Sequence, residues 1–362
     1  MKKKVLHIVE AFGGGVFTMI NDLTNGLKDE YDIVIAYGKR KQTPENLREL
    51  FDSKIKLIEI KNFGRKLNLK KDIKALNELK KVIKEEKPDI VHLHSSKAGV
   101  LGRIAANGKK YKMLYNPHGF SFLKQDDSKI KRLCYKTIEK IMAIINMKCI
   151  IIGCSEGEYK EAKKISKNAV CINNGIDIEK LTKKTEKFQK TEIDFENLKI
   201  CTVGRIGYQK NPKLFNEIAG ALPDNKFTWI GDGELKKELT SSNITVTGWK
   251  KEEEVLKELN KNDIFILTSL WEGLPISLLE AGYMKKICLV TDVIGNKDVI
   301  KNGKNGFIFN KTDEAVKIIQ KINMKKYDEV TKKIRKEIEQ IYNSKVMIEQ
   351  YRKQYEEIKW KK

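Results

Sequence analysis

Short apolar runs rich in β-branched residues alternate with longer stretches of helical hydrophobic spacing along the chain. Such runs, apolar throughout, are typical of strands buried on both faces of a sheet. Because strands and helices alternate, the pattern predicts a parallel sheet with helices on both faces. In the first half the predicted strands are Val5–Val9, Asp32–Ala36, Ile55–Ile60, Ile90–Leu93, Met113–Asn116, Cys149–Gly153 and Ala169–Ile172.

The same alternation starts again after a polar, charged stretch. Helices are expected to begin near Asn211, Glu234, Glu252 and Pro275, and the predicted strands are Ile200–Val203, Phe227–Ile230, Ile244–Val246, Ile264–Leu267 and Ile287–Val290. The fold class is therefore α/β, with two Rossmann-like, doubly wound parallel-sheet domains that face each other across a cleft. We expect a first domain over 1–178, a linker over 179–198 and a second domain over 199–342. A helix at about 343–362 is expected to pack back on the first domain.

Composition narrows the class of protein. The chain has 362 residues, enough for two domains, and its 72 Lys and Arg against 49 Asp and Glu give a net charge of +23. The charge has two interpretations: an anionic partner, or solvated lysines spread over almost every predicted helix.

Six scattered cysteines without a CxxC pair indicate reduced thiols and a reducing compartment. No apolar stretch is long enough to span a bilayer, so we expect the cytoplasm or the inner face of a membrane.

Glycine-containing loops follow the first strand of each predicted domain. Gly13, Gly14 and Gly15 precede the helical stretch Val16–Leu27. Glycines there let backbone amides approach a phosphate at the start of a helix, and they also serve purely steric tight turns. Neither the G-x-G-x-x-G fingerprint nor a P-loop Lys-Ser/Thr is present.

Two cations lie in the corresponding loop of the second domain. Arg205 follows a strand, and Lys210 precedes a helix that begins near Pro212. A guanidinium fork, an ammonium and a helix N-terminus together favour a diphosphate.

Two glutamates flank the start of a later helix. Glu272 lies in a loop, and Pro275 is expected to begin a helix that carries Ser277 and Glu280. Free amides near Ile276 and Ser277 favour an anion at this point. Because Glu272 precedes the helix and Glu280 lies on its second turn, the two carboxylates should reach different parts of one ligand.

This segment resembles the Glu-x7-Glu motif of the retaining nucleotide-sugar glycosyltransferases of family 4, which have the GT-B fold. The resemblance extends over the chain through motifs in a fixed order: the Gly-rich loop, His118-Gly119, Ser155-Glu156, Asn174–Asp177, Gly204-Arg205 with Lys210, Gly231–Gly233, the two glutamates and Asn305–Phe307. One departure is Tyr283–Val290, where family members often have Gly-x-Pro-Val-Val.

The resemblance implies a role for each of these residues. Arg205 and Lys210 would hold the donor diphosphate, Glu280 the ribose, and the amides of Gly14 and Gly15 the phosphate from the other domain. His118 and Glu272 would be catalytic, both beside the transferred sugar. Further donor-binding residues are Gly231, Trp249, Ile276 and Ser277. No protein nucleophile, no cofactor and no metal are expected, and the chain contains no Asp-x-Asp.

A basic amphipathic helix is predicted over Ser128–Met147. One side carries the apolar positions Ile130, Leu133, Thr137, Ile138, Ile141 and Ile145, and the lysines and Arg132 lie elsewhere. The helix either packs on the sheet with its lysines in water or rests on anionic lipid. The net charge and the family's lipid-linked acceptors favour peripheral contact with a membrane.

The resemblance implies an enzyme, a retaining hexosyltransferase. It would move a sugar, most simply from a UDP-sugar, to a lipid-linked saccharide in capsule or exopolysaccharide synthesis. One alternative is a UDP-sugar 2-epimerase of the same fold. Another is a basic nucleic-acid-binding protein, but the sequence contains no recognisable nucleic-acid module, and no nucleic-acid partner is expected.

Overall fold

A computed structural model describes residues 2–10, 12–40, 43–64, 67–106, 111–188 and 192–357. Within those ranges the chain forms two compact α/β units. Unit 1 is drawn from Met1–Leu123, Asp127–Asn174 and Ser344–Lys362, and unit 2 from Lys124–Asp126 and Gly175–Asn343.

The division differs from the predicted domains at Lys124–Asp126, which fall in unit 2, and at the linker. The main segment of unit 2 begins at Gly175, four residues before the predicted linker. Helix α6 (Ile178–Thr185) begins one residue before that linker and otherwise lies within it. Leu181 of α6 is buried, and Thr182 hydrogen-bonds to Tyr283 of unit 2. Segment 179–198 is therefore in part a packed element of unit 2, because one buried leucine anchors an otherwise polar helix.

Unit 1 contains a sheet of seven strands, all parallel, in the order β3-β2-β1-β4-β5-β6-β7. Its strands are β1 (Lys4–Val9), β2 (Asp32–Tyr37), β3 (Lys56–Glu59), β4 (Ile90–His94), β5 (Lys112–Asn116), β6 (Ile150–Gly153) and β7 (Ala169–Cys171). Its helices are α1 (Gly14–Leu27), α2 (Leu69–Glu86), α3 (Ser96–Ala105), α4 (Lys129–Ile145), α5 (Glu156–Lys163) and α13 (Ser344–Glu356).

The seven-stranded sheet is covered on both faces, which explains its continuously apolar strands. One face packs against α2, α3 and α5, and the other against α1 and α13. Helix α13 buries Met347, Tyr351 and Tyr355, whereas Val346 is exposed. The described part of the predicted 343–362 helix thus lies in unit 1, and residues 358–362 are outside the described residues.

Helix α4 presents its apolar side to solvent and its ion pair to the protein. Ile130, Leu133, Ile138, Ile141, Ile144 and Ile145 are 42 to 77% exposed. On the inner side Glu139 accepts hydrogen bonds from Arg103 Nη2 at 2.7 Å and from the Tyr115 hydroxyl at 2.6 Å. The side chains of Arg103 and Glu139 are only 0% and 4% exposed. The inner side of α4 also buries Met142 and Ala143, whereas the isoleucines and Leu133 are exposed.

Unit 2 contains six parallel strands in the order β10-β9-β8-β11-β12-β13. The strands are β8 (Ile200–Val203), β9 (Phe227–Ile230), β10 (Ile244–Val246), β11 (Ile264–Leu267), β12 (Ile287–Thr291) and β13 (Phe307–Phe309). The helices after α6 are α7 (Pro212–Ala221), α8 (Glu252–Asn260), α9 (Ile276–Tyr283), α10 (Asn296–Val299), α11 (Thr312–Gln320) and α12 (Met324–Ile341).

Unit 2 differs from the prediction in two elements. The helix predicted to begin near Glu234 is a single 3-10 turn, Lys236–Glu238. Strand β13 (Phe307–Phe309) was not predicted.

Candidate functional site

The sheet order of unit 2 places two loops side by side. Strands β8 and β11 are neighbours, yet their connections leave in opposite directions along the sheet. Ligands of open parallel sheets bind where the strand order reverses, at the carboxyl ends of the strands. The loop after β8 carries Arg205 and Lys210, and the loop after β11 carries Glu272 and leads into α9, which begins at Ile276.

Glycines allow the backbone after β8 to pass very close to the loop after β9. A Cβ atom on Gly231 would lie 2.1 Å from the carbonyl oxygen of Gly204. Both residues have φ of +145°, a conformation that L side chains rarely adopt. The Gly204 carbonyl also accepts a hydrogen bond from the Trp229 indole at 2.8 Å. Glycine at position 231 therefore lets the two loops pass this close to each other.

The structure brings the predicted residues Lys210 and Glu272 together. Lys210 Nζ lies 2.7 Å from Glu272 Oε1, and both side chains are largely buried. Gln209 joins them by donating to the Trp271 carbonyl at 2.9 Å and to Glu272 Oε2 at 3.3 Å. The Thr268 hydroxyl holds the other loop by donating to the Lys210 carbonyl at 2.6 Å. The two loops therefore form one hydrogen-bonded unit.

Arg205 has a different partner. Its Nε donates to Glu234 Oε2 at 2.8 Å, and its Nη2 contacts the other carboxylate oxygen, so the pair is bidentate. Both side chains are substantially exposed. Sequence reasoning missed Glu234 and Gln209, because neither shows a pattern until the loops are folded together.

Helix α9 offers an N-terminus without a side-chain cap. The helix begins at Ile276, with Pro275 as its N-cap, one residue later than predicted. Ile276 is buried, and Ser277 and Glu280 are half-buried. Amides at such an end attract an anion. The assignment of Ile276 and Ser277 to a phosphate stays a prediction.

Trp249 does not join this group. Its indole is 56% exposed after β10, the edge strand, which is two strands away from β8. Within the described part of the chain no hydrogen bond or ring contact links it to Lys210 or Glu272. Its assignment to the donor site stays a prediction.

In unit 1 the glycine loop opens α1. Gly13 is the N-cap, Gly14 has a φ of +57°, and no side chain caps the helix. Gly14 and Gly15 are exposed, and a Cβ on Gly14 would meet no atom within 4 Å. The glycine at position 14 is therefore required by its backbone angle and not by crowding.

His118 lies in a strained loop after β5. Its φ is +52°, and Ser95, which follows the neighbouring strand β4, has a φ of +82°. Such angles in residues other than glycine cost about 1–3 kcal/mol each and concentrate at functional sites. The buried carboxylate of Glu158 holds the loop by accepting from the amides of Gly119 at 2.6 Å and Cys154 at 2.8 Å.

His118 is part of a cluster that contains all four histidines of the chain. His7 on β1 pairs in register with His92 on β4, and His94 lies on the same face two residues later. Burial lowers the pKa of His92 to about 4 and that of His118 to about 3. Burial also holds the pKa values of His7 and His94 well below their usual range. All four rings are therefore neutral at pH 7.

The cluster was not predicted from the sequence. Its only sequence signal is the His-x-His spacing in β4; the approach of His7 depends on strand order. His7, His92 and His94 each offer a nitrogen within 4.8 Å of the others, the one such group among the described residues. That no metal is required stays a prediction.

Family models match both units. The model described as Glycosyltransferase Family 4 matches residues 13–180, and the model described as Glycosyl transferases group 1 matches residues 183–341.

Among curated proteins, one relative from Escherichia coli is named UDP-Gal:alpha-D-GlcNAc-diphosphoundecaprenol alpha-1,3-galactosyltransferase. It is 33% identical over 293 residues, which cover 74% of each chain. An uncharacterized 41.2 kDa protein in the cps region of Klebsiella pneumoniae is 29% identical over 330 residues, covering 87% of this chain and 88% of the relative.

Among solved structures, Anabaena HepE in complex with UDP and glucose matches with a TM-score of 0.76 at 14% identity. The match covers 98% of this chain and all of the other. The likeness shows the fold, and the matches over both units show the family. The chain therefore belongs to the family 4 glycosyltransferases of the GT-B fold.

Proposed function

We propose that this glycosyltransferase moves a sugar from a UDP-sugar to a saccharide carried on a polyprenyl diphosphate, with retention of anomeric configuration, in the synthesis of a surface polysaccharide. The observation that carries the proposal is the Lys210–Glu272 pair at the strand-order reversal of unit 2. The relative named above acts on a diphosphoundecaprenol-linked sugar with UDP-Gal, and another relative lies in a cps region, which supports both the donor and the acceptor class.

The arrangement suits a leaving group that becomes negatively charged. As the bond from sugar to diphosphate breaks, charge develops on the phosphate oxygens, and fixed positive groups there lower the barrier. Lys210, Arg205 and the amides at Ile276 and Ser277 supply that field. Glu272, held by Lys210 and Gln209, would orient a sugar hydroxyl, and Glu280 would accept from the ribose.

The acceptor proton does not require a protein base in this proposal. The acceptor hydroxyl attacks from the face that the diphosphate leaves, and a phosphate oxygen takes the proton. The bond from the anomeric carbon to the acceptor oxygen forms as the bond to the donor phosphate oxygen breaks. His118 would position the sugar by hydrogen bonding as a neutral ring.

An acceptor anchored in a bilayer requires the enzyme to reach the membrane surface. No helix in the described ranges combines the length and apolar character needed to cross a bilayer. Helix α4 instead offers exposed isoleucines flanked by exposed Lys129, Lys131 and Lys140. An exposed apolar row beside lysines fits the headgroup region of an anionic membrane. We therefore assign α4 to peripheral binding at the inner, cytoplasmic face of the cell membrane.

The proposed function is tested by a transfer assay with the full chain. UDP-sugars are offered singly with a synthetic polyprenyl-diphosphate N-acetylhexosamine, and products are analysed by mass spectrometry and by the anomeric proton coupling. We expect acceptor-dependent release of UDP and an added sugar with retained configuration, unchanged by EDTA. An epimerised nucleotide sugar formed without acceptor would show the 2-epimerase instead. Loss of transfer with EDTA, restored by Mn²⁺, would contradict a metal-independent site.

A further inference from the structure

The buried face of the unit 1 sheet contains polar rings where apolar side chains would be expected. His7, His92, His94 and Asn116 are at most 1% exposed, on the face that otherwise packs against α1 and α13. Buried polar groups destabilise a fold unless each finds a hydrogen-bond partner. The partners of these rings therefore constrain where their protons can be.

Three of the rings form a chain. His118 Nε2 lies 3.0 Å from His94 Nδ1, and His94 Nε2 lies 3.0 Å from His7 Nδ1. A neutral imidazole has one N–H donor and one acceptor nitrogen. Each link therefore needs a proton from one of its two rings, and His94 can donate in only one of its two links.

Only two proton arrangements satisfy both links with neutral rings. In the first, His118 donates to His94 and His94 donates to His7, so every ring carries its proton on Nε2. In the second, His7 donates to His94 and His94 donates to His118, so every ring carries its proton on Nδ1. The free nitrogen of His118, Nδ1, accepts a hydrogen bond in the first arrangement and donates one in the second.

The fourth ring is fixed separately. His92 Nε2 lies 2.7 Å from Asn116 Oδ1, which only accepts, so His92 carries its proton on Nε2. Its Nδ1 then accepts from the Tyr355 hydroxyl at 2.7 Å. Asn116 is oriented by donating to the Tyr351 hydroxyl at 2.7 Å. Two tyrosines of α13 thus hold the ring that packs against His94, with centroids 4.1 Å apart.

From these links we infer that His94 and His7 are positioning residues that determine which nitrogen of His118 bears the proton, so that the three rings change tautomer only together. The catalytic role of His118 in this inference rests on the proposed function. The coupling of the three tautomers does not depend on that function. Because of this coupling, Nδ1 of His118 can donate a hydrogen bond to a sugar hydroxyl or accept one from it while the ring stays neutral.

The same nitrogens do not favour a metal site. Two of the three rings that could converge on an ion, His92 and His94, already use both nitrogens in hydrogen bonds. A metal would have to break these bonds, and with them the position of Asn116 or His118.

The test is long-range ¹H–¹⁵N NMR of the full chain labelled with ¹⁵N-histidine at pH 7. The four histidines give four spin systems, assigned from single substitutions. We expect one common tautomer for His7, His94 and His118, and an Nε2–H tautomer for His92. A mixed set among the three, or a charged ring, would overturn the inference. So would stoichiometric binding of added Zn²⁺ that shifts His7, His92 and His94 together.

Two substitutions of His94 separate positioning from folding. His94→Asn keeps an amide near the position of Nδ1, toward His118, whereas His94→Gln keeps one near Nε2, toward His7. We expect kcat to be at least fivefold higher in His94→Asn than in His94→Gln, with equal donor KM, and His118 to populate both tautomers in His94→Gln. Equal kcat values and an unchanged His118 tautomer would overturn the inference. If the wild type shows no transfer at all, the NMR result still tests the coupling and only the proposed function fails.

Discussion

Lys210 and Glu272 come from loops that follow different strands, yet the Lys210 ammonium lies 2.7 Å from the Glu272 carboxylate. An ammonium has three N–H donors, and Glu272 takes one of them. The same group can therefore also donate to a phosphate oxygen while Glu272 fixes its direction. The pair connects the proposed diphosphate site with the proposed sugar site.

Replacement of Glu272 should affect both activity and stability. We expect Glu272→Ala to lower kcat/KM at least a hundredfold, because it removes a sugar contact and frees the Lys210 side chain. A surface ion pair contributes about 0–1 kcal/mol, and losing one partner of a fully buried pair costs about 3–5 kcal/mol. The Lys210–Glu272 pair is intermediate in burial between these two cases. We expect a loss of about 1–3 kcal/mol in the free energy of unfolding, measured in urea. Wild-type turnover in this variant would contradict the assignment.

Glu234 pairs with Arg205, the residue proposed to bind the donor diphosphate. The bidentate pair is exposed, and exposed pairs contribute about 0.2–1 kcal/mol. Glu234→Gln removes this ion pair, so we expect UDP to bind about two- to fivefold more tightly in calorimetry. Weaker UDP binding in this variant would instead place Glu234 in the site as a contact that binds the nucleotide.

The histidine cluster should make stability depend on pH below neutrality. Burial holds the pKa of His92 near 4 and of His118 near 3, while the unfolded chain has pKa values near 6.5. Because the unfolded state then binds more protons, the stabilising effect of the neutral rings is complete above pH 6.5 and declines as the pH falls toward the folded values. Each ring contributes a slope of up to about 1.4 kcal/mol per pH unit.

Urea unfolding between pH 7 and pH 5 measures this effect. We expect the histidines to contribute up to about four protons to the uptake on unfolding, one for each histidine of the chain. His118→Asn, which removes one ring, should reduce the uptake by about one. Constant stability over this interval would show that the rings are not held neutral.

Vesicle binding tests the assignment of α4. Ile144 and Ile145 are 70% and 67% exposed, so replacing both with serine should leave the fold intact. We expect the double variant to lose at least tenfold in affinity for phosphatidylglycerol vesicles in a sedimentation assay. Met324→Ser, at an exposed position on α12 of unit 2, is the matched control and should bind like the wild type. Equal binding by all three proteins would place the membrane contact elsewhere.

Most of the fold could be predicted from the sequence, because buried parallel strands are continuous apolar runs and the helices between them are periodic. The predicted β8 and β11 agree with the structure to the residue. Helix α4 shows the limit of such reasoning. Its isoleucine stripe indicated an amphipathic helix, but the orientation depends on the buried Arg103–Glu139 pair, which joins residues far apart in the chain.

The sequence allowed the residues of the candidate site to be predicted, but not the ion pairs that they form. Arg205, Lys210 and Glu272 stood out because they follow strands in loops with glycine or proline. That Lys210 pairs with Glu272, and Arg205 with Glu234, follows from the order β9-β8-β11, which no local pattern encodes. The histidine chain escaped prediction for the same reason, since it requires β1 beside β4.

The most direct test of the account is the dissociation constant of UDP measured by titration calorimetry on wild type, Lys210→Ala and Lys213→Ala. Lys213 is exposed three residues further on, in α7, and controls for the loss of one positive charge. A hydrogen bond to a charged group contributes about 1.5–3 kcal/mol, so Lys210→Ala should weaken binding at least tenfold, with Lys213→Ala within twofold of the wild type. Equal affinity of Lys210→Ala and wild type for UDP would contradict the claim that this loop holds the donor diphosphate.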